Sequence, residues 1–274
     1  MMKKNSVILL LIIFSVVAFS GCLFNGESPG DEVKAFVENE YDVSSDAKLV
    51  ISTINGEISV SSWKNDSILL NATKRSRYGE DDLDNAEILV SETDDDFSIK
   101  IQNEQPVRNR AVDLVIHVPM NLSVSSVSST NGNVHLANTT GNTDILTTNG
   151  GIIGEYVDGY VSATSTNGFI KLLGCKGLGD LLTSNGRITA GLLGFKDGVS
   201  IQSTNGDIIL HVSSVLNASI DVTTTNGEIS VDENIVTISD SSDTYIGGRI
   251  GFGGNEVSVL SVNEDISITG LYEE

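Results

Sequence analysis

One short phrase returns along this chain at a nearly fixed interval. Thr-Asn-Gly or Ser-Asn-Gly places its asparagine at Asn131, Asn149, Asn167, Asn185, Asn205 and Asn226, with spacings of 18, 18, 18, 20 and 21 residues. Two outlying copies extend the set: "STINGEISV" around Asn55, and "LSVNEDISI" around Asn263, where Glu264 replaces the glycine. A catalytic turn or a phosphate loop is needed once per site, so serial copies at one period point to a repeat architecture.

Aligning the copies on the asparagine exposes columns. Three residues later stand Ile58, Val134, Ile152, Ile170, Ile188, Ile208, Ile229 and Ile266, every one β-branched. Apolar or small residues also hold the positions four before and five after, while the position between the two later columns is mixed. This alternation has period 2, so strands enter and leave each Asn-Gly.

Asn-Gly between strands would ordinarily be read as a hairpin. Identical columns every 18 to 21 residues fit a coil better, because each rung can then stack on the one before. The expected fold is therefore all-β: a single-chain β-solenoid, or β-helix, of about 18 to 21 residues per rung. Asn-Gly becomes its corner, with glycine supplying a positive φ and the amides stacking into a ladder. Two residues before each asparagine is a Ser or Thr, from Thr53 to Ser261, expected to point inward with its hydroxyl on backbone or ladder. The copies from Asn131 to Asn226 predict contiguous rungs, about 24 Å of stack at strand spacing.

Between the Asn55 and Asn131 copies lies an insertion whose "EILV", "FSIKI" and "VDLVIHV" alternate between polar breaks. It predicts a β-rich N-terminal cap that hides one end of the stack. The glycine-rich "GGRIGFGGNE" delays the last rung at the other end.

The N-terminus reads as an address. "MMKKNSVILLLIIFSVVAFSGC" has a basic start, an apolar stretch shorter than the roughly 20 residues of a membrane span, and small residues before Cys22. It resembles the lipobox of bacterial and archaeal lipoproteins, although Phe19 departs from the usual aliphatic residue. The resemblance implies cleavage before Cys22, lipid on its sulfur, and attachment to the extracellular face of the cell membrane. The expected organisation is a signal peptide at 1–21, a lipid-anchored flexible tether at 22–46, the first rung with the β-rich cap at 47–120, and solenoid repeats at 121–274.

Formal net charge is −21 and becomes −23 once Lys3 and Lys4 leave with the signal. Nucleic acid is excluded as a partner, since it is held by Lys and Arg that displace counterions. With Cys22 assigned to lipid, Cys175 alone remains, and its small, apolar neighbours predict a buried structural thiol.

No catalytic constellation is visible and no cofactor or metal is implied. His117, His135 and His211 lack ligand spacing. Acids do not stack from copy to copy: Asp207 and Glu228 follow the glycine, but Asn133, Gly151, Phe169 and Arg187 fill that column elsewhere. Asp94, Asp95 and Asp96 lack EF-hand spacing. Thr130, Thr148, Thr166, Ser184, Thr204 and Thr225 form one outward ladder, with no second hydroxyl column expected beside it. Trp63 is expected to pack against core or cap. Sequons at Asn65, Asn71, Asn121, Asn138 and Asn217 are possible glycosylation sites.

"ISTINGEISVSSW", the "IHVP" strand, the serial "STNGNVHL" rungs and the terminal "LSVNEDISITG" together resemble the "putative adhesin" domain family of bacterial and archaeal surface proteins. That resemblance implies a coiled β architecture on the cell surface and carries no catalytic residues. The expected function is an adhesive or structural binding module, not an enzyme, anchored to the membrane by lipid. Its ligand would be an extracellular glycan or protein. The alternatives are a polysaccharide-processing β-helix enzyme and a cell-envelope stress sensor that docks a membrane protein.

Overall fold

The computed structural model describes residues 30–271 apart from 45, 94 and 104–109. The signal segment, Cys22 and Asp94 lie outside the described residues. Apart from one four-residue helix, Glu80–Leu83, the elements among the described residues are strands in two sheets. Each asparagine rung sends the strand before its corner into a 12-stranded sheet and the strand after it into an 11-stranded one. We call these the lead-in and lead-out sheets.

Along the repeats the pairing is parallel and rung on rung. Ile152 stands opposite Val134 on one side and Ile170 on the other, and the column continues through Ile188 and Ile208. The column of β-branched residues is therefore one continuous row facing the opposing sheet, and all but Ile229 are buried. Branching at Cβ suits this pleated surface, and burying each such side chain contributes about 1.5 to 3 kcal/mol.

The end rungs stack out of chain order, which corrects the expected contiguous run from Asn131 to Asn226. The strand Glu256–Ser261 pairs with Val199–Ser203 on one edge and Ala218–Thr224 on the other. The Asn263 rung thus lies between those of Asn205 and Asn226, with Ile266 opposite both Ile208 and Ile229. What decides this is the hairpin Val236–Ser242/Tyr245–Ile250, which pairs antiparallel with Ala218–Thr224 and occupies its outer edge.

The N-terminal end shows the same device. The Asn55 rung stacks directly on that of Asn131, with Ile58 opposite Val134. The insertion then returns beneath it as a further rung without the motif, Asp96–Asn103 against Lys48–Asn55 and Ala111–Pro119 against Ile58–Trp63. Antiparallel strands close this end as expected: Ser67–Ser76 on Ala111–Pro119, and Ala86–Glu92 on Asp96–Asn103. Residues 33 to 42, expected in the tether, form a ten-residue strand on Ser67–Ser76. Their alternation places Val37 and Tyr41 against the core, where Tyr41 meets Phe97 edge-on at 5.7 Å.

The asparagine corner is tighter than the positive-φ turn that the sequence suggests. Of its glycines only Gly56 has a positive φ, at 131°. The others are required by proximity: a Cβ on Gly168 would stand 1.9 Å from the carbonyl oxygen of Gly150, and one on Gly132 equally close to that of Gly56. Backbone passes over backbone here, with no room for a methyl group between rungs.

Candidate binding face

The asparagines form one unbroken ladder of eight. Asn131 Nδ2 donates to Asn55 Oδ1 at 2.7 Å, and each next amide does the same through Asn149, Asn167, Asn185 and Asn205. Asn263 then bonds Asn205 at 2.7 Å and Asn226 bonds Asn263 at 2.9 Å, in spatial rather than chain order. At the N-terminal end Asn55 Nδ2 donates to the carbonyl of Arg110, 3.0 Å away. The buried Arg110 guanidinium is held in turn by Asp82 Oδ1 at 2.9 Å and Asn103 Oδ1 at 3.2 Å.

Behind the ladder the inward hydroxyls behave as their column predicts. Thr147, Ser165, Thr183 and Ser203 donate to the carbonyls of Gly132, Gly150, Gly168 and Gly186, at 3.2, 3.0, 2.9 and 3.0 Å. Each bond joins one rung to the preceding glycine, so the small hydroxyl and the missing Cβ serve one contact. A buried bond of this kind contributes about 1 kcal/mol.

Outward, the lead-in sheet carries two columns beside the ladder. One is the expected threonine column, interrupted by Ile54 at the N-terminal end and by Val262 one rung in from the other end. The other is a mixed column rather than a second hydroxyl ladder, and was not among the expectations from sequence. Ser52, Ser128, Leu146, Thr164, Leu182, Gln202, Leu260 and Thr223 stand opposite one another in sequence of rungs. They lie two residues before the threonines and so share their face, which strand alternation alone could have revealed. A shallow groove of about 260 Å³ runs between the columns, lined by Thr164, Thr166, Leu182, Ser184, Gln202 and Thr204 among others.

Across the ladder and both columns, through eight rungs, no Asp, Glu, Lys or Arg occurs. Seven rung steps make this uncharged strip about 34 Å long. The outer face of the lead-out sheet differs. There Glu155 lies 3.6 Å from His135 and 3.9 Å from Lys171, and Arg187 bonds Asp207 at 2.5 Å. The interposed rung also stacks three acids, Asp207, Asp265 and Glu228, against the expectation that acids do not adjoin. Asp207 is taken by Arg187, and Asp265 Oδ1 accepts the Glu228 N–H at 2.8 Å. Among the described residues no group of three or more His, Cys, Asp or Glu could hold a metal ion.

The other candidates are dispersed. His117 accepts or donates to Ser61 at 3.0 Å and stacks on Trp63 at 5.7 Å, while Trp63 Nε1 donates to the Ser67 carbonyl. His211 bonds Thr269 at 2.9 Å. Cys175 is fully buried, and burial pushes its thiol pKa up. Asn65, Asn121, Asn138 and Asn217 are exposed, whereas Asn71 is half-buried in mid-strand. The Asn217 side chain accepts the Phe252 N–H at 2.8 Å.

A two-sheet coil whose regular columns face solvent defines a β-solenoid that presents a repeated surface. The chain belongs to the Toastrack DUF4097 family, whose model matches residues 38–269. Among solved structures, it is similar to a "putative adhesin" from Bacteroides fragilis NCTC 9343, at 18% identity and a TM-score of 0.49, covering 90% of this chain and 100% of that one. It is also similar to a "putative cell adhesion protein" from Clostridium sporogenes ATCC 15579, at 14% identity and a TM-score of 0.35, covering 86% and 100%. A third is a "putative lipid binding protein" from Parabacteroides distasonis ATCC 8503, at 11% identity and a TM-score of 0.40, covering 86% and 95%. No curated protein matches.

Proposed function

We propose that this protein is a non-enzymatic surface module, exported and held on the extracellular face of the membrane by lipid on Cys22, that adheres through its uncharged strip. One observation carries the reading. On a chain of formal charge −21, three adjoining columns through eight rungs are free of charge and lined with amides, hydroxyls and leucines. Charged side chains, Glu155, Lys171, Arg187 and Asp207 among them, break up the outer face of the lead-out sheet, so the strip is the longer face that can be dehydrated against a ligand without removing a charge from water. Hydroxyl and amide groups recurring at rung spacing suit a repetitive glycan or protein surface.

The test adds charge to one face at a time. Cells displaying the Thr164→Asp/Leu182→Asp variant lose adhesion to their natural surface. The Thr189→Asp/Ser267→Asp variant, altered by the same charge on the lead-out face, retains it. Equal loss in both would sink the strip as the adhesive face. Cys22→Ser releases the protein from membrane fractions, and undiminished retention would remove the lipid anchor from this reading.

A further inference from the structure

The corner opposite the asparagines holds an aromatic side chain in a conformation that suits it poorly. Ala137, Glu155 and Leu173 stand opposite one another at the ends of three successive lead-out strands, and the next residue of each rung turns left-handed. Those residues are Asn138, Tyr156 and Gly174, with φ of 55°, 55° and 66°. Glycine and asparagine adopt this region readily, while for a bulky side chain it costs about 1 to 2 kcal/mol. Core packing does not offset that cost, because Tyr156 is 68% exposed.

The neighbouring rung accommodates the ring. A Cβ on Gly174 would meet Tyr156 Cδ1 at 2.6 Å and Cε1 at 2.9 Å, so only glycine lets the ring rest there. Four residues on, Tyr160 does the same over Gly177, with Cδ1 and Cε1 both 2.6 Å from the position of a Cβ. Asp158 Oδ1 and Lys176 Nζ pair at 3.0 Å, with side chains 67% and 63% exposed. One rung step of this corner thus carries two aryl rings braced on glycine and, on the same two short chain segments, an accepting carboxylate and a donating ammonium.

We propose that this corner is a saccharide-binding site for a neutral pyranose, distinct from the uncharged strip and independent of it. The Tyr156 ring stacks on the C–H face of the sugar. Asp158 accepts from its hydroxyls, Lys176 donates to them, and Tyr160 borders the far side. An aryl face beside a paired acceptor and donor matches a ligand with one apolar face and a rim of hydroxyls. The acidity of the chain disfavours uronic or sialic acids, and a nucleobase would bring phosphates that the same charge repels.

The test uses the purified full chain in detergent, titrated with cellotetraose, maltotetraose, mannotetraose and the N-acetylglucosamine tetramer by calorimetry. At least one binds. Tyr156→Asn, which places at this corner the residue that Asn138 already supplies, weakens that binding at least about tenfold, as loss of a central aromatic anchor does. The same variant unfolds at an equal or higher temperature, so lost binding cannot be laid to misfolding. Tyr156→Phe retains binding. Failure of all four sugars to bind, or binding indifferent to Tyr156→Asn, overturns the site. Adhesion that persists in Tyr156→Asn leaves the strip reading intact, and sugar binding that persists in Thr164→Asp/Leu182→Asp shows the two sites to be separate.

Discussion

At the asparagine corner eight rungs carry the same side chain, and each amide bonds the next at 2.7 to 2.9 Å. At the opposite corner three successive rungs carry Asn138, Tyr156 and Gly174, and in the rung of Asn185 no residue there turns left-handed. Both corners bring backbone onto backbone: a Cβ on Gly159 would lie 2.0 Å from the Gly141 carbonyl oxygen, much as at Gly168. They differ in what fixes the turn. A ladder of side chains works only if every rung supplies the same amide, so that corner is uniform. A turn made by backbone conformation and close approach leaves its outward side chain free to vary, and there an aromatic ring can be displayed.

Substitutions can break this contrast, starting with the glycines. Gly168→Ala puts a methyl group against the backbone of Gly150, which cannot yield without parting two rungs, and costs about 3 kcal/mol or more in denaturant unfolding. At the other corner a Cβ on Gly194 would have nothing closer than the Lys176 carbonyl oxygen at 3.2 Å. Gly194→Ala therefore stays within about 1 kcal/mol, and equal losses would mean that close approach is not what selects glycine. Thr183→Val keeps the shape of a buried side chain and removes its bond to Gly168, for a loss of about 1 to 2 kcal/mol by the same measurement.

Asn167→Ala interrupts the ladder between Asn149 and Asn185. Both freed partners are exposed and water takes up their hydrogen bonds, so the expected loss is only about 0.5 to 1 kcal/mol. A loss as large as that of Gly168→Ala would make the ladder, rather than the glycine column, the chief constraint at this corner. The spatial order of the ladder has a test with little effect on stability. Cysteines replacing Asn205 and Asn263 crosslink under mild oxidation, being one rung apart, whereas cysteines replacing Asn205 and Asn226 do not, being two rungs or about 9.6 Å apart. Crosslinking of the second pair would restore chain order to the stack.

Much of the asparagine corner was legible because its constraints fall on single residues at fixed offsets. The β-branched column, the inward hydroxyls and the amide ladder each follow from one position of the motif. The reason for glycine was not legible in the same way. Its φ and its distance to the next rung are both met by the same residue, and only the packed rungs show that distance decides at Gly132 and Gly168. The second outward column was available from alternation beside Thr148 and Thr166, yet Leu146 and Leu182 break its hydroxyl pattern and conceal it. The Tyr156 corner has no motif at all, since Asn138, Tyr156 and Gly174 share a backbone conformation and not a side-chain type.

The sequence by itself determined the rung: its length, its inward columns and the corner at which it turns. It did so because those features depend on local alternation and on contacts that every copy makes identically. Only the tertiary structure decided the order of the rungs. Identical columns make rungs interchangeable, so Ile208 is as well matched by Ile266 as by Ile229, and the alignment of residues cannot choose between them. The choice falls to what covers the last edge. With the Val236–Ser242/Tyr245–Ile250 hairpin on the outer side of Ala218–Thr224, the Asn226 rung becomes the end of the stack and the returning chain takes the place inside it.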